Sequence, residues 1–232
     1  MTIPSHLRLA QPANFKPRGH HPQIRHAFRM GAQLHPNHAA YEFYPTPPKA
    51  TRALLAAHTF DSDIWEPACG QGHIAKVFEA EGFRVTSTGL VDHGYGQPGR
   101  DFLAETKPLA KNIITNPPYG RGFADAFCKH AIHITRQTGG SVAMLVAVQS
   151  LCHPTRTPFF HNHPPTVIYA LDECTCWPNG IPVSRDRAIA KQRYCWLVWD
   201  FSRQEPTLFQ WLSTRPFKDA VKSTPLLLKS AA

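Results

Sequence analysis

The five residues NPPYG, Asn116 to Gly120, have the types and spacing needed to activate an amino group on an aromatic base. Such a nitrogen is a poor nucleophile because its lone pair is delocalised into the ring, so a catalyst must accept hydrogen bonds from both of its N–H groups. The side-chain carbonyl of Asn116 and the backbone carbonyl of Pro117 could be these acceptors, since a proline before Pro118 is held extended and stiff. Tyr119 could then stack on the base and fix its plane for in-line group transfer.

A second motif, EPACGQGH from Glu66 to His73, has the composition of a ligand-binding turn. It follows a short apolar strand and opens an amphipathic helix, which is where open α/β sheets bind nucleotide-like ligands. Gly70 and Gly72 would let the backbone approach such a ligand. The loop lacks the third glycine of G-x-G-x-x-G and the Gly-Lys-Ser/Thr ending of a P-loop, so dinucleotide and triphosphate binding are disfavoured. Glu66 would repel a phosphate but could hold the ammonium of a methionine-like zwitterion.

The elements that would position both motifs alternate between strands and helices. The pattern predicts a first helix with Thr46 as its N-cap and Pro47 at its first position. A short strand at Ile64 and Trp65, the glycine loop, a helix ending near Gly82 and a second strand around Val85 then form a β-α-β unit. Further strands are predicted over residues 112–115, 141–148, 167–171 and 194–199, with a helix over 123–134. This alternation implies a mostly parallel sheet covered on both faces.

The chain resembles the γ-type N6-adenine DNA methyltransferases, including small phage or prophage enzymes, in four motifs and their order. These are TPP (Thr46 to Pro48), EPACGQG (Glu66 to Gly72), DFL (Asp101 to Leu103) and NPPYG (Asn116 to Gly120). The resemblance runs from about Tyr41 to Phe201. It implies an α/β fold of the class I methyltransferase type, which is Rossmann-like, with a mostly parallel seven-stranded sheet and helices on both faces. It also implies S-adenosylmethionine as the cofactor and a flipped adenine in DNA as the substrate.

The resemblance also assigns roles to individual positions. The expected cofactor-binding residues are Thr46, Pro47, Glu66, Pro67, Ala68, Gly70, Gly72, Asp101 and Phe102. Within this set, Thr46 and Pro47 would line the methionine end of the cofactor, and Asp101 with Phe102 would contact its adenine. The expected catalytic residues, which would hold the flipped base, are Asn116, Pro117, Pro118 and Tyr119.

One position departs from the family pattern. The family has an acid just after the second strand that accepts the ribose hydroxyls of the cofactor, and the matching place in VTSTGLVDHGYG is Gly89. Asp92 is the nearest carboxylate and is expected to replace the missing acid. If Asp92 cannot reach the cofactor, binding should be weak, or the protein would be a binding-only relative.

Recognition of a nucleotide sequence in the substrate has to be explained without a large recognition domain. Only residues 202 to 232 follow the last predicted strand, and they are too few for a domain. Loops, the amino-terminal tail or a partner would have to supply it. Two basic, loop-like stretches, residues 149–165 and 172–194, could contact phosphates. The expected substrate-binding residues are Trp177, Arg185, Arg187, Lys191 and Arg193. Trp177 would stack on the flipped base, with Tyr194 and Trp196 as rivals, and core packing is an equal alternative for each aromatic.

The charge distribution favours a polyanionic partner. The formal net charge is +9 and the isoelectric point is near 9.5. No acidic residue precedes Glu42, whereas five basic residues do: Arg8, Lys16, Arg18, Arg25 and Arg29. We therefore expect a basic, disordered arm over residues 1–40, a catalytic domain over 41–201 and a short extension over 202–232. The arm could bind nucleic acid or could only keep the protein in solution.

The composition excludes several other classes. With 42% apolar residues it is globular, and no run approaches the roughly 18 apolar residues of a membrane span. We expect no signal peptide, a cytoplasmic, nucleoid-associated location and six reduced cysteines without disulfides. Cys174 and Cys176 are near His153, His161 and His163 in sequence, but this irregular spacing is a weak metal signal, and no metal is predicted.

Three other functions stay open at the level of sequence. Adenine-N6 methylation of RNA needs the same chemistry. Methylation of a protein glutamine uses the same acceptors on an amide nitrogen, although the basic tail and the TPP helix favour nucleic acid. A non-catalytic nucleic-acid-binding regulator would follow from the change at Gly89, although the intact motif from Asn116 to Tyr119 argues against it. The recognition sequence, the strand state of the substrate and the oligomeric state are not predicted.

Overall fold

Seven strands form one sheet at the centre of the protein. The structure is a computed structural model that describes residues 43–61, 63–180, 192–203 and 205–217. The strands are β1 (Asp63–Glu66), β2 (Arg84–Ser87), β3 (Asn112–Thr115), β4 (Ser141–Ala147), β5 (Val167–Leu171), β6 (Tyr194–Asp200) and β7 (Leu208–Leu212). Their spatial order is β2-β1-β3-β4-β6-β5-β7. The strand β6 runs antiparallel to β4 and β5, and the other pairs are parallel, so the predicted mostly parallel sheet is confirmed.

Four α-helices flank this sheet within the described ranges. They are α1 (Pro48–Ala57), α2 (Ala75–Ala80), α3 (Phe123–Thr135) and α4 (Thr157–Asn162). Successive side chains of a strand point to opposite faces of the sheet. The packing partners of two adjacent strand residues therefore identify the helices on the two faces. Leu145 and Trp196 pack with α1 and α2, whereas Met144 and Leu197 pack with α3 and α4. Helices therefore cover both faces, as predicted. Short 3₁₀ helices lie in the connections at Phe102–Ala104, Gly120–Gly122, Arg136–Thr138, Val148–Cys152, Pro154–Arg156 and Pro178–Gly180.

The central strands are continuous apolar runs because both of their faces are covered. Every residue of β3 and of β4 is buried. The polar Asn112, at the start of β3, is satisfied on all sides: its Nδ2 donates to the carbonyls of Asp61 and Asp63, and its Oδ1 accepts from the Ser141 amide. This side chain joins β1, β3 and β4 at their amino-terminal side.

The first helix begins later than the sequence predicted. Pro48 is the first residue of α1 and Pro47 occupies the N-cap position, so Thr46 does not cap the helix. The fixed φ of proline suits the first helical turn, where its missing N–H would have had no partner. Thr46 is instead a buried residue in the segment before the helix.

The strand β7 lies in the segment that was expected to be an extension beyond the catalytic domain. Five of its residues pair in parallel with β5, from Val167 with Leu208 to Leu171 with Leu212. The sequence LFQWL does not alternate regularly between apolar and polar residues, which is the pattern that predicts a half-buried strand. Its apolar residues Leu208, Phe209 and Trp211 are exposed on this edge strand. The boundary at residue 201 must therefore move to at least Leu212.

The expected arm over residues 1–40 lies outside the described residues. Across the described ranges, none of the helices is long and apolar enough to cross a membrane.

We expect Trp196→Phe to lower the free energy of unfolding by about 1–3 kcal/mol, because it removes packed volume and one hydrogen bond. Trp196 is fully buried, and its Nε1 donates to the Ala50 carbonyl at 3.0 Å. Trp211→Phe is the matched control, since Trp211 is 84% exposed, and it should change stability by less than about 0.5 kcal/mol. Urea unfolding followed by far-UV circular dichroism measures both. Equal effects would show that α1 does not depend on Trp196.

Candidate active site

A cleft opens at the carboxyl ends of β1, β2 and β3. It encloses about 870 Å³, including the part that is open to solvent. Its sides come from the glycine loop after β1, the loop after β2, the loop after β3 and the segment before α1. This is where open α/β sheets bind ligands.

Nine of the fourteen predicted cofactor-binding and catalytic residues line this cleft. The predicted cofactor-binding residues that line it are Thr46, Glu66, Pro67, Ala68, Gly70, Asp101 and Phe102. Of the predicted catalytic residues, Asn116 and Pro118 line it. The predicted residues within the described ranges that do not line it are Pro47, Gly72, Asp92, Pro117, Tyr119, Trp177 and Arg193.

The glycine loop has a shape that only glycine allows at two positions. Gly70 and Gly72 have φ angles of 52° and 78°, in the left-handed region that other residues rarely adopt. A Cβ on Gly70 would lie 2.6 Å from the Phe43 ring, and a Cβ on Gly72 would lie 2.5 Å from the Tyr95 ring. Gly70 therefore shapes the cleft directly, whereas Gly72 shapes the turn behind it, where its amide donates to the Cys69 carbonyl at 2.7 Å.

Glu66 places a buried carboxylate at the end of β1. It is 2% exposed, and its Oε2 accepts a hydrogen bond from the Ala75 amide at the start of α2, at 2.8 Å. Burial raises the pKa of this carboxyl well above its usual value, the Ala75 bond opposes this, and the charge of Glu79 raises it further. A cation in the cleft would lower this pKa and restore the ionised form.

Thr46 places a hydroxyl in the cleft without a partner. Its Oγ1 is buried and makes no hydrogen bond to any described residue. An unpaired buried hydroxyl is unfavourable by about 1–3 kcal/mol, so a ligand that bonds to it would gain affinity. Thr46 and Glu66 thus present two polar groups that a bound zwitterion could satisfy.

Asn116 has a fixed amide orientation. Its Nδ2 donates to the Tyr44 carbonyl at 2.8 Å, and its Oδ1 accepts from the Tyr119 hydroxyl at 2.5 Å. Because a backbone carbonyl can only accept, the amide nitrogen must face Tyr44, and the oxygen must face the other way. The Asn116 oxygen is thus held in place and keeps one lone pair for a further donor.

Tyr119 lies beside the cleft and is not among the residues that line it. Its hydroxyl is also 2.9 Å from the Leu145 carbonyl on β4, and its ring contacts the Tyr194 ring edge-on at 6.2 Å between centroids. The ring therefore packs into the core beside the cleft, and the hydroxyl orients Asn116. These contacts support an orienting role for the hydroxyl, and the stacking role of Tyr119 stays a prediction.

The three aromatic candidates for a second stacking surface also lie outside the cleft. Tyr194 and Trp196 are 5% and 0% exposed on β6, so core packing explains both. Trp177 is half-buried in the turn after Cys176, and its carbonyl accepts from the Gly180 amide. The predicted stacking role of Trp177 stays a prediction.

Asp101 and Phe102 reach the cleft from the other side. The Oδ1 of Asp101 accepts from the Leu103 amide at 3.1 Å and caps the 3₁₀ helix there. Phe102 is 2% exposed and packs edge-on against Trp65, with 5.2 Å between ring centroids. Phe102 therefore forms the floor of the cleft and Asp101 its polar rim.

Asp92 is not among the residues that line the cleft. Its side chain is exposed, and its Oδ1 accepts from the Gly94 amide at 2.8 Å in a local turn. Gly89 does line the cleft, but it has no side chain to offer. The turn at Gly94 holds the Asp92 carboxylate outside the cleft, so the role expected of Asp92 stays a prediction that no described contact supports.

Most of the predicted phosphate-binding residues cannot be placed. Arg185, Arg187 and Lys191 lie outside the described residues. Arg193 is exposed just before β6. In the other basic stretch, the Nε of Arg156 forms an ion pair with Asp125 at 2.7 Å, so part of its charge is already compensated.

Sequence reasoning missed several residues that line the cleft. They include Phe43, Tyr44, His73, His93, Arg100 and Phe123. Phe43 stacks on His93 with 4.5 Å between ring centroids and an interplanar angle of 19°. In the sequence, these residues could have been found only because they are next to predicted site residues. Phe43 and Tyr44 precede the TPP motif, and His93 follows Asp92.

The cysteines form no disulfide, since all six are free thiols. In the described ranges, no group of three or more His, Cys, Asp or Glu side chains is arranged to hold a metal ion.

Comparison with known proteins identifies the fold. No protein-family model matches the sequence, and no curated protein matches it significantly. Among solved structures, the chain is similar to a protein from Listeria monocytogenes described as a class I S-adenosylmethionine-dependent methyltransferase. The TM-score is 0.52 at 16% identity, and the match covers 82% of this chain and 72% of that chain. The chain has the class I methyltransferase fold. This confirms the predicted fold class.

A second similar structure is the methyltransferase subunit of a type I restriction-modification system from Streptococcus thermophilus. The TM-score is 0.51 at 14% identity, and the match covers 73% of this chain. This chain spans 47% of that protein, or about half of its length. The class I methyltransferase fold thus recurs here in a shorter chain.

We expect the ligand-free Glu66→Gln variant to gain stability relative to the wild-type protein as pH rises. The raised pKa of Glu66 means that its contribution to stability is full below its ordinary value of 4.5 and is lost as pH rises through the folded value. Glutamine does not titrate and can still accept from the Ala75 amide. Urea unfolding of both proteins between about pH 4 and pH 9 measures the difference, which should widen with pH. A constant difference would show that Glu66 has no raised pKa.

Proposed function

We propose that this protein transfers a methyl group from S-adenosylmethionine to the exocyclic amino group of adenine in DNA. The observation that carries the proposal is the position of Asn116. It is fixed by Tyr44 and Tyr119 in the same cleft that Glu66 and the glycine loop line. An oriented amide acceptor beside a cleft at the carboxyl ends of the strands is the arrangement that methylation of an aromatic amine requires.

The residues of the cleft fit the cofactor. The ammonium of its methionine end would provide the counter-charge that buried Glu66 lacks, and its polar groups could bond to the unpaired Thr46 hydroxyl. Gly70 leaves the backbone open to close approach. When bound, the cofactor supplies an electrophilic methyl group on its sulfonium. The class I methyltransferase fold of the chain supports the same assignment.

The protein's part in the chemistry is to hold the amine. Asn116 Oδ1 would accept one N–H of the target with its remaining lone pair, and the backbone carbonyl of Pro117 would accept the other. Pro118 restricts Pro117 to an extended conformation, which fixes the direction of this carbonyl. Tyr119 keeps the Asn116 oxygen aimed at the amine by donating to it. A strong general base is unnecessary because the amine becomes acidic as it is alkylated.

Nucleic acid is the substrate that the charge favours. The chain has 25 lysines and arginines against 16 aspartates and glutamates. A net positive protein attracts polyanions, and a base that reacts in a cleft must leave its stack to reach it. The likeness of the fold to a subunit of a restriction-modification system, at 14% identity, supports DNA within this class.

The proposal is tested by incubating the protein and labelled S-adenosylmethionine with pools of DNA, RNA and protein, with Asn116→Ala as the matched negative control. After digestion to nucleosides, we expect the label in N6-methyladenine from DNA. Label in RNA or in protein glutamine would move the substrate to those classes. Binding of nucleic acid with no label in any pool would indicate a non-catalytic regulator and would contradict the proposal.

We expect Asn116→Ala to lower turnover by at least about 100-fold, since it removes a fixed acceptor from the transition state. Cofactor affinity should change little, because Asn116 is not placed to hold the methionine end. Tyr119→Phe keeps the ring and removes the hydroxyl bond to Asn116, so turnover should fall by only about 3–10-fold. Single-turnover assays and calorimetry measure the two effects. Near-normal turnover of Asn116→Ala would contradict the role of the amide.

We expect deletion of residues 1–30 to weaken DNA binding and to leave the methylated site unchanged. This segment carries five positive charges and no acid. Each lost phosphate contact should flatten the dependence of log affinity on log salt by about 0.9, so the slope should fall by up to about 4 or 5. Phosphate contacts position a protein without specifying bases. Equal slopes would show that the segment does not bind DNA, and an altered site would show that it reads bases.

A further inference from the structure

His93 is a polar residue of the cleft to which no role has been given. It belongs to the loop after β2, whose base is fixed by the hydrogen bond from Trp65 Nε1 to the Thr88 hydroxyl at 2.9 Å. His93 is half-buried and its ring stacks on Phe43, which itself packs on Gly70. The imidazole is thus held between the loop after β2 and the glycine loop, where it faces the cleft.

The first part of the loop after β2, residues 88–96, offers no carboxylate to the cleft. Its other residues that line the cleft are Gly89, Leu90 and Val91, and the Asp92 side chain is turned to the Gly94 amide outside. The carboxylates that line the cleft in the described ranges are Glu66, at the end of β1, and Asp101, at the far end of the connection from β2, where it caps the 3₁₀ helix at Phe102. A ribose held at the end of β2 would therefore need another polar partner on this loop.

We propose that His93 binds the ribose hydroxyls of S-adenosylmethionine, in place of the acid that is absent at Gly89. This inference rests on the function proposed above. A neutral imidazole has one N–H donor and one acceptor nitrogen, so it can bond to a hydroxyl in either direction. Burial lowers the pKa of His93, against the opposing charge of Asp92, which keeps the ring neutral near pH 7.

Packing does not explain why Gly89 lacks a side chain. A Cβ added there would meet the Val91 carbonyl at 3.5 Å and the Cys69 sulfur at 3.8 Å, which are ordinary van der Waals distances. Its φ lies outside the left-handed region, so an L-residue fits without backbone strain. Aspartate can therefore be introduced at this position, which gives a direct rescue experiment for a His93 variant.

The test compares binding of S-adenosylhomocysteine with binding of its 2′,3′-dideoxyribose analogue by calorimetry. We expect the wild-type protein to prefer the ribose form by about 3–10-fold, as one or two hydrogen bonds imply. His93→Phe keeps a ring against Phe43 but has no nitrogen, so the preference should fall to about one. Adding Gly89→Asp to His93→Phe should restore the preference. Asp92→Asn is the matched control and should keep the wild-type ratio.

The outcomes separate this inference from the proposed function. If the wild-type protein binds neither probe, the proposed function fails, and the role of His93 fails with it. If it binds both and His93→Phe keeps the preference for ribose, only the role of His93 is overturned. Thermal unfolding checks that each variant is folded. His93→Leu replaces His93→Phe if the latter does not fold, with the same expected loss of preference.

Discussion

The hydrogen bond from Asn116 to the Tyr44 carbonyl, at 2.8 Å, joins residues 72 positions apart and closes one side of the cleft. Because a carbonyl only accepts, this single bond decides which way the amide points, and hence whether an acceptor faces a target amine. The geometry of the hydrogen bond between Asn116 and Tyr44 depends on how α1 packs on the sheet. The Trp196 indole and the Tyr169 hydroxyl bond to the Ala50 and Ala57 carbonyls and fix that helix on the sheet. The acceptor is therefore a property of the tertiary fold and not of the motif alone.

Around this bond, the cleft has polar groups that the protein itself does not satisfy. Glu66 and the Thr46 hydroxyl both raise the free energy of the folded, ligand-free state, and a ligand that satisfies them binds more tightly for that reason. In the proposed reaction, the same environment would protect the transferred methyl group. Burial, with the charge of Glu66 adding to it, raises the pKa of the neighbouring Cys69 thiol to about 12. Only the thiolate is a good nucleophile, so Cys69 does not compete with the target amine.

Much of this arrangement could be predicted from the sequence, because strong periodicity and glycine turns fix local structure. The strands around Ile64, Ile113 and Leu145 are apolar runs bounded by turns, and they bring the glycine loop and Asn116 to one edge of the sheet. What the sequence does not show depends on individual hydrogen bonds, some of them between distant segments and some within a turn. The direction of the Tyr119 ring is set by the Leu145 carbonyl, and that of Asp92 by the Gly94 turn. The strand β7 was missed because its side chains are exposed and its stability comes from pairing with β5.

The position of β7 also decides where the protein can be attached to a surface or fused to a reporter. The described chain begins at Phe43, inside the cleft, whereas its last strand lies at the far edge of the sheet. From β1 to β7 there are five strand-to-strand steps, through β3, β4, β6 and β5, or about 24 Å at about 4.8 Å per step. A bulky group joined after β7 would stand well away from the cleft. The same group joined just before Phe43 would stand at its entrance.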